Sequence, residues 1–223
     1  MKTHVCQCAR VEKRALRIAL VVLAAVAGLG LVQGVFASDS APNIVRVEED
    51  WELVVDTPDA NNVAPQVTCA ISPTGQLNSL YATIEFNHQS QPDFVAGGMQ
   101  LQLWNGESPV STHKYPNNAV MSQPGETVSW TQAMTLTGGN LVYSVVNGES
   151  VTWGSFGWAC LHVSAASDLP NLNGYDANVS VQNSGVGFAS NRVQSLVLKA
   201  VRLVTSTGEV LADTTLRPVY PRS

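Results

Sequence analysis

The feature that most constrains this chain is a period-two alternation of apolar residues with polar or aromatic ones. Three segments show it, with apolar members at Leu80, Ala82, Ile84 and Phe86, then at Met99, Leu101 and Leu103, and then at Val128, Trp130, Met134 and Leu136. Successive side chains of a strand point to opposite faces, so each segment predicts a strand with one buried and one wet face. Within residues 38–223, no apolar stripe with helical spacing extends beyond two turns. The sequence therefore predicts an all-β domain.

Turn residues separate these segments. Asn105-Gly106 and Asn147-Gly148 are typical of type I′ hairpins. Gln194 to Leu203 and Glu209 to Ala212 predict a long strand and a returning strand that closes a sheet. About a dozen strands without a repeat period favour a two-sheet antiparallel β-sandwich of jelly-roll type. The predicted long loops are Pro58 to Pro65, Pro109 to Pro124 and Ser167 to Gly174.

Residues 1–37 differ in kind from the rest of the chain. Five basic residues precede an uncharged and almost wholly apolar run from Ile18 to Ala37, with small residues at Val35 and Ala37. This pattern predicts a signal peptide, cleaved before Ser38, and a single secreted or cell-envelope domain over residues 38–223. The alternative is an uncleaved single-pass anchor with its N-terminus in the cytoplasm. Membrane contact would then be limited to that segment.

Without the predicted leader, 7 basic and 16 acidic residues remain, a net charge of −9. Such a domain is repelled by nucleic acid and by anionic lipid surfaces, which excludes nucleic acid as a partner. Only Cys69 and Cys160 remain as thiols in residues 38–223. An even pair in an exported domain predicts one disulfide, and two separate free thiols are the alternative.

Three segments carry a resemblance to uncharacterised exported bacterial β-sandwich proteins: Arg46 to Glu52, Trp153 to Gly157, and Asn191 to Val193. The last strand, around Val201 to Leu203, resembles that of concanavalin-like and laminin-G-like sandwiches. This implies the fold without implying an activity.

An acidic array, Glu48-x-Asp50-x-Glu52, is similar to the motif of concanavalin-like glucanases. The resemblance would make Glu48 the nucleophile, Glu52 the general acid and Asp50 the residue that tunes them. The array begins about ten residues into the predicted mature chain, whereas that family places it deep in its domain. The other interpretation is an acidic edge strand whose charges block sheet-to-sheet aggregation.

Two further segments suggest binding. Trp153, Phe156 and Trp158 lie among glycines, a composition suited to holding sugar rings, although a role in the core is the alternative. Asn171, Asn173 and Asp176 supply oxygen atoms that could bind Ca²⁺, but they lack the spacing of a tight calcium loop. An Asx-turn loop is the alternative there. No metal and no cofactor other than this calcium candidate are predicted.

The catalytic motifs of serine hydrolases, zinc enzymes and nucleotide-binding proteins are missing from the sequence. We therefore expect a non-enzymatic surface or envelope interaction module whose partner is a polysaccharide or another envelope protein. The alternatives are a glycoside hydrolase that uses Glu48 and Glu52, and a purely structural envelope component.

Overall fold

The computed structural model describes residues 42–56, 65–87, 89–90, 95–121, 123–157, 161–188 and 190–221. The predicted leader and its cleavage site lie outside these ranges. Fifteen strands, one short α-helix and one 3-10 turn (Ser190–Arg192) lie within them. The strands and α-helix are β1 (Ile44–Val55), β2 (Gln66–Ile71), β3 (Leu80–Phe86), β4 (Gln89–Ser90), β5 (Val95–Ala96), β6 (Met99–Asn105), β7 (Ser108–Lys114), β8 (Thr127–Thr137), β9 (Asn140–Ser150), β10 (Gly154–Phe156), β11 (His162–Ala166), α1 (Ala177–Gln182), β12 (Gly185–Phe188), β13 (Val193–Thr205), β14 (Val210–Asp213) and β15 (Arg217–Tyr220). No helix among these residues is long and apolar enough to cross a membrane.

The strands form two main antiparallel sheets, as predicted for a β-sandwich. The larger has eight strands in the order β10-β9-β8-β1-β13-β14, with β11 also paired to β9 and β15 to β13. The smaller has five strands in the order β12-β2-β3-β6-β7, and β4 pairs with β5 separately. Buried side chains from both sheets form one hydrophobic cluster. The alternating residues of β3 and β6 place their apolar members in this core, which confirms the period-two prediction.

β1 is a central strand, so its interpretation as an edge strand is wrong. It pairs with β8 along one side and with β13 along the other. Both partners lie far from β1 along the chain, so the position of β1 depends on long-range pairing. β13 and β14 form the predicted strand and returning strand, and β14 ends that path through the larger sheet.

Two local predictions need correction. In the β6–β7 hairpin Asn105 pairs with Ser108, so the turn residues are Gly106 and Glu107. Of these, Gly106 alone has positive φ, as at the first central position of a type II′ turn rather than in a type I′ turn. Gly148 lies inside β9, where a Cβ would approach the Phe156 ring to 2.2 Å. Close packing, not turn geometry, requires glycine there.

The predicted loops are also only partly correct. The segment from Pro109 to Pro124 includes most of β7, whereas Ser167 to Gly174 is free of strands. Most of Pro58 to Pro65 lies outside the described residues. A helix of six residues, α1, comes shortly after the segment from Ser167 to Gly174 and packs on β2.

Candidate functional site

The predicted acidic array lies on the face of β1 that points away from the core. Glu48, Asp50 and Glu52 are half-buried there and share the predicted face, while the intervening Glu49 and Trp51 are buried on the opposite side. Trp51 therefore cannot form one wall of a cleft around the array.

Arginines neutralise two members of the array. Arg202 donates from Nε to Glu48 at 2.8 Å and from both terminal nitrogens to Asp50, and Arg46 donates to Glu48 at 2.8 Å. Partial burial works to raise the pKa of both carboxyl groups, but the hydrogen bonds outweigh it and hold both pKa values below their ordinary range. A retaining glycosidase needs one carboxyl group that stays protonated, and neither Glu48 nor Asp50 is held in that state.

The third carboxylate, Glu52, accepts a hydrogen bond from Lys199 at 3.1 Å. Glu52 and Lys199 are 35% and 40% exposed, so solvent screens this pair. The array and its basic partners together form a ladder of ion pairs across β1 and β13.

Glu49 lies between Glu48 and Asp50 in the sequence, but its side chain is fully buried inside the sandwich. Four donors converge on its carboxylate. Trp51 Nε1 (2.9 Å) and Gln132 Nε2 (2.7 Å) reach Oε2, and the hydroxyls of Tyr175 (2.7 Å) and Ser180 (2.6 Å) reach Oε1. Burial raises the pKa of Glu49, and the four hydrogen bonds oppose that rise. The network ties α1 and its preceding loop to the larger sheet.

The predicted aromatic binding run is part of the core. Trp153 is 5% exposed and Phe156 is 1% exposed, and both rings contact Phe86. Trp153 Nε1 donates to the carbonyl of Ala119 at 2.9 Å. These two buried rings present no face to a sugar and take the core role that was the alternative to sugar binding. Trp158 lies outside the described residues.

In the predicted calcium-binding loop, the side-chain oxygens accept hydrogen bonds from backbone N–H groups of the loop, of α1 and of β1. Asn171 Oδ1 accepts from the Asn173 backbone N–H at 3.0 Å, which is an Asx turn, and Asn173 Oδ1 accepts from the Ile44 N–H at 2.8 Å. Asp176 caps α1 by accepting from the Asn178 N–H at 2.8 Å. In the part of the chain described, no three or more His, Cys, Asp or Glu side chains group to hold a metal.

Cys69 is a free and fully buried thiol, which contradicts the predicted disulfide. β2 directs it into the core, where burial, and then the charge of Glu49, raise its pKa well above the ordinary value. Cys160 lies outside the described residues.

A different surface, on the outer face of the five-stranded sheet, carries aromatic rings that are only half-buried. Tyr81 on β3 and Trp104 on β6 are directly paired across the two strands. Their ring centres are 6.3 Å apart and their planes are within 9° of parallel. The two rings are therefore nearly parallel and lie on strands that are paired along their length.

Polar groups surround this pair on the same face. Trp104 Nε1 donates to Thr83 Oγ1 at 3.2 Å, which fixes the indole ring. Gln102 pairs across the strands with Thr83 on one side and Thr112 on the other, and its Nε2 lies 3.5 Å from Thr112 Oγ1. We call Tyr81, Thr83, Gln102, Trp104 and Thr112 the aromatic face.

Partial burial, together with the nearby charge of Glu107, raises the pKa of Tyr81. Its hydroxyl therefore stays protonated at neutral pH and can donate a hydrogen bond. The aromatic face thus combines apolar rings with hydroxyl and amide groups.

Sequence reasoning missed this face, although the signal was present. In the two alternating segments, Tyr81 and Trp104 occupy positions between the apolar core residues, where a soluble sheet usually places small polar side chains. Large aromatic residues at neighbouring outward positions are therefore a sequence signal for a candidate binding surface.

Comparisons with known proteins leave the family open. No protein-family model matches the chain, and no curated protein matches it. One solved structure is described as SCP-B, a member of the eqolisin family of peptidases, in a complex with the tripeptide Ala-Ile-His. The two sequences are 12% identical over the superposed region, which spans 78% of this chain and 81% of the SCP-B chain, and the TM-score is 0.34. At that TM-score the likeness bears on neither fold nor activity.

Proposed function

We propose that this protein is an exported, non-enzymatic interaction module that binds glycan chains through the aromatic face. The observation that carries the proposal is the parallel pair of half-buried rings at Tyr81 and Trp104. The C–H groups of a sugar ring carry partial positive charge and pack favourably on the negative face of an aromatic ring. The Gln102 amide and the Thr112 hydroxyl lie beside the rings and match sugar hydroxyls, while the buried Thr83 hydroxyl holds the indole.

Rigidity also favours this surface. Both rings project from strands that are paired along their length, and the Thr83 hydroxyl holds the indole in place. A surface that is already ordered loses little side-chain entropy when it binds. A ligand with several sugar units fits better than a monosaccharide, because the two rings offer adjacent contacts on an open sheet.

The test is binding of the purified protein to a glycan array and to insoluble cellulose, chitin and peptidoglycan, with and without calcium. Trp104→Ala should weaken binding about 2- to 12-fold, since one aromatic contact contributes about 0.5–1.5 kcal/mol. Trp104→Phe, which keeps an aromatic ring, should retain most of the affinity. Thermal unfolding of each variant separates lost binding from lost folding.

Two outcomes would contradict the proposal. The protein could bind none of these glycans, which would favour the purely structural envelope component, or Trp104→Ala could bind as tightly as the wild type. Hydrolysis of a bound glycan that disappears in Glu52→Gln would instead favour the glycoside hydrolase.

A further inference from the structure

Two histidines meet where the two sheets of the sandwich come together at one side. His113 lies on β7 of the five-stranded sheet, and His162 lies on β11 of the eight-stranded sheet. β11 packs against β7, and the two imidazole rings are 5.9 Å apart between centres with an interplanar angle of 78°. His162 is exposed and His113 is half-buried, so water and ions reach the pair.

A hydrogen bond sets which nitrogen of His113 faces outward. His113 Nδ1 lies 3.0 Å from the backbone carbonyl oxygen of His162. A carbonyl oxygen can only accept, so Nδ1 carries the proton and donates it. In the neutral ring Nε2 then keeps its lone pair. Histidines that ligate metals are held in this way, with the second ring nitrogen donating to a carbonyl or carboxylate.

The spacing of the rings also suits one shared ion. Zinc–nitrogen bonds of about 2.0–2.1 Å in tetrahedral geometry place two imidazole centres about 5.2 Å apart, and a wider ligand angle increases this distance toward about 6.4 Å. The observed 5.9 Å falls within that interval. Imidazole nitrogen suits zinc, copper and nickel, whereas calcium and magnesium take oxygen ligands.

We propose that His113 and His162 form a transition-metal site that joins β7 to β11, with water completing the coordination of the ion. The net charge of −9 over residues 38–223 favours cations over anions near the protein as a whole. Because the two ligands belong to different sheets, the bound metal stabilises the packing of one sheet on the other. This site does not involve the aromatic face, so the two proposals stand or fall separately.

The experiment measures thermal unfolding and calorimetric binding of the metal-free protein as Zn²⁺ is added, with Ni²⁺ as a second probe and Ca²⁺ and Mg²⁺ as controls. The melting temperature should rise with the logarithm of the zinc concentration above the dissociation constant and should not respond to the control ions. His162→Gln should lower zinc affinity at least about tenfold, since losing a ligand costs more than losing a residue that orients one.

His162→Gln keeps the backbone carbonyl that orients His113, so its fold is expected to survive. His113→Gln should abolish the same zinc response, and each variant is compared with its own metal-free form. His88→Gln removes a different histidine and should respond like the wild type. The proposal is overturned if the wild type binds no zinc, if His162→Gln binds it unchanged, or if His88→Gln removes the response.

Discussion

Replacing the buried Glu49 tests whether its four hydrogen bonds stabilise the sandwich. Glu49→Leu leaves the N–H donors of Trp51 and Gln132 without an acceptor inside the core. Each orphaned buried donor costs about 1–3 kcal/mol. The gain from no longer burying a carboxylate offsets part of this cost. We expect a net loss of about 3–4 kcal/mol in the free energy of unfolding.

Glu49→Gln should cost much less, about 1 kcal/mol. Its oxygen can remain at the Oε2 position and accept from Trp51 and Gln132. Its amide nitrogen then replaces Oε1, where the hydroxyls of Tyr175 and Ser180 can turn to accept instead of donate. The opposite orientation is disfavoured, because Gln132 is itself fixed by the Tyr143 hydroxyl, which donates to its Oε1 at 2.9 Å.

Urea unfolding of the purified variants near pH 7, followed by tryptophan fluorescence, measures the difference. Glu52→Leu is the matched control, because it makes the same substitution on the solvent face of the same strand. Its screened partner Lys199 limits the expected cost to about 1 kcal/mol or less. If Glu49→Leu unfolds at the same urea concentration as Glu49→Gln, or at a higher one, the network does not stabilise the fold and the reasoning is wrong.

Two further predictions follow from groups near Glu49. Glu48 has a folded-state pKa below its ordinary 4.5, so the stability it contributes is present above pH 4.5 and is lost as the pH falls through the lowered value. Glu48→Gln should therefore have a lower free energy of unfolding than the wild type near pH 7, and urea titrations should show this difference shrinking toward pH 3. A difference that does not change with pH would contradict the assigned ion pairs. Cys69, buried with a raised pKa, should resist alkylation in the native protein and react after unfolding in denaturant without reductant, and a Cys69 that reacts only after reduction would restore the disulfide.

The strands were predictable because their signal is local. Period-two alternation fixes which residues of β3 and β6 face the core, whatever strands lie beside them. The same alternation predicts that Glu49 is buried, because Glu49 shares its face of β1 with Val47, Trp51 and Leu53. A carboxylate at an apolar position indicates a buried polar network. Three of its four partners come from β8 and from the segment around α1, however, and could not be identified from local pattern.

Other features depend on contacts between distant segments. Whether β1 lies at an edge or in the centre is decided by β8 and β13, which no local pattern reveals. Asn147-Gly148 has the composition of a turn, yet the glycine is needed because the Phe156 ring occupies the space of its Cβ. The histidine pair likewise arises from the contact of β7 with β11, far apart in sequence.

The two outer faces of the sandwich differ in what a ligand would have to displace. On the larger sheet, Glu48 and Asp50 already accept hydrogen bonds from Arg202. A ligand that covers them must remove water from these ion pairs and competes with Arg202 for the carboxylate oxygens. On the smaller sheet, covering Tyr81 and Trp104 removes apolar surface from water, which is favourable in itself. Charge compensation on the first face and the half-buried rings on the second are the reasons for proposing the glycan site on the five-stranded sheet.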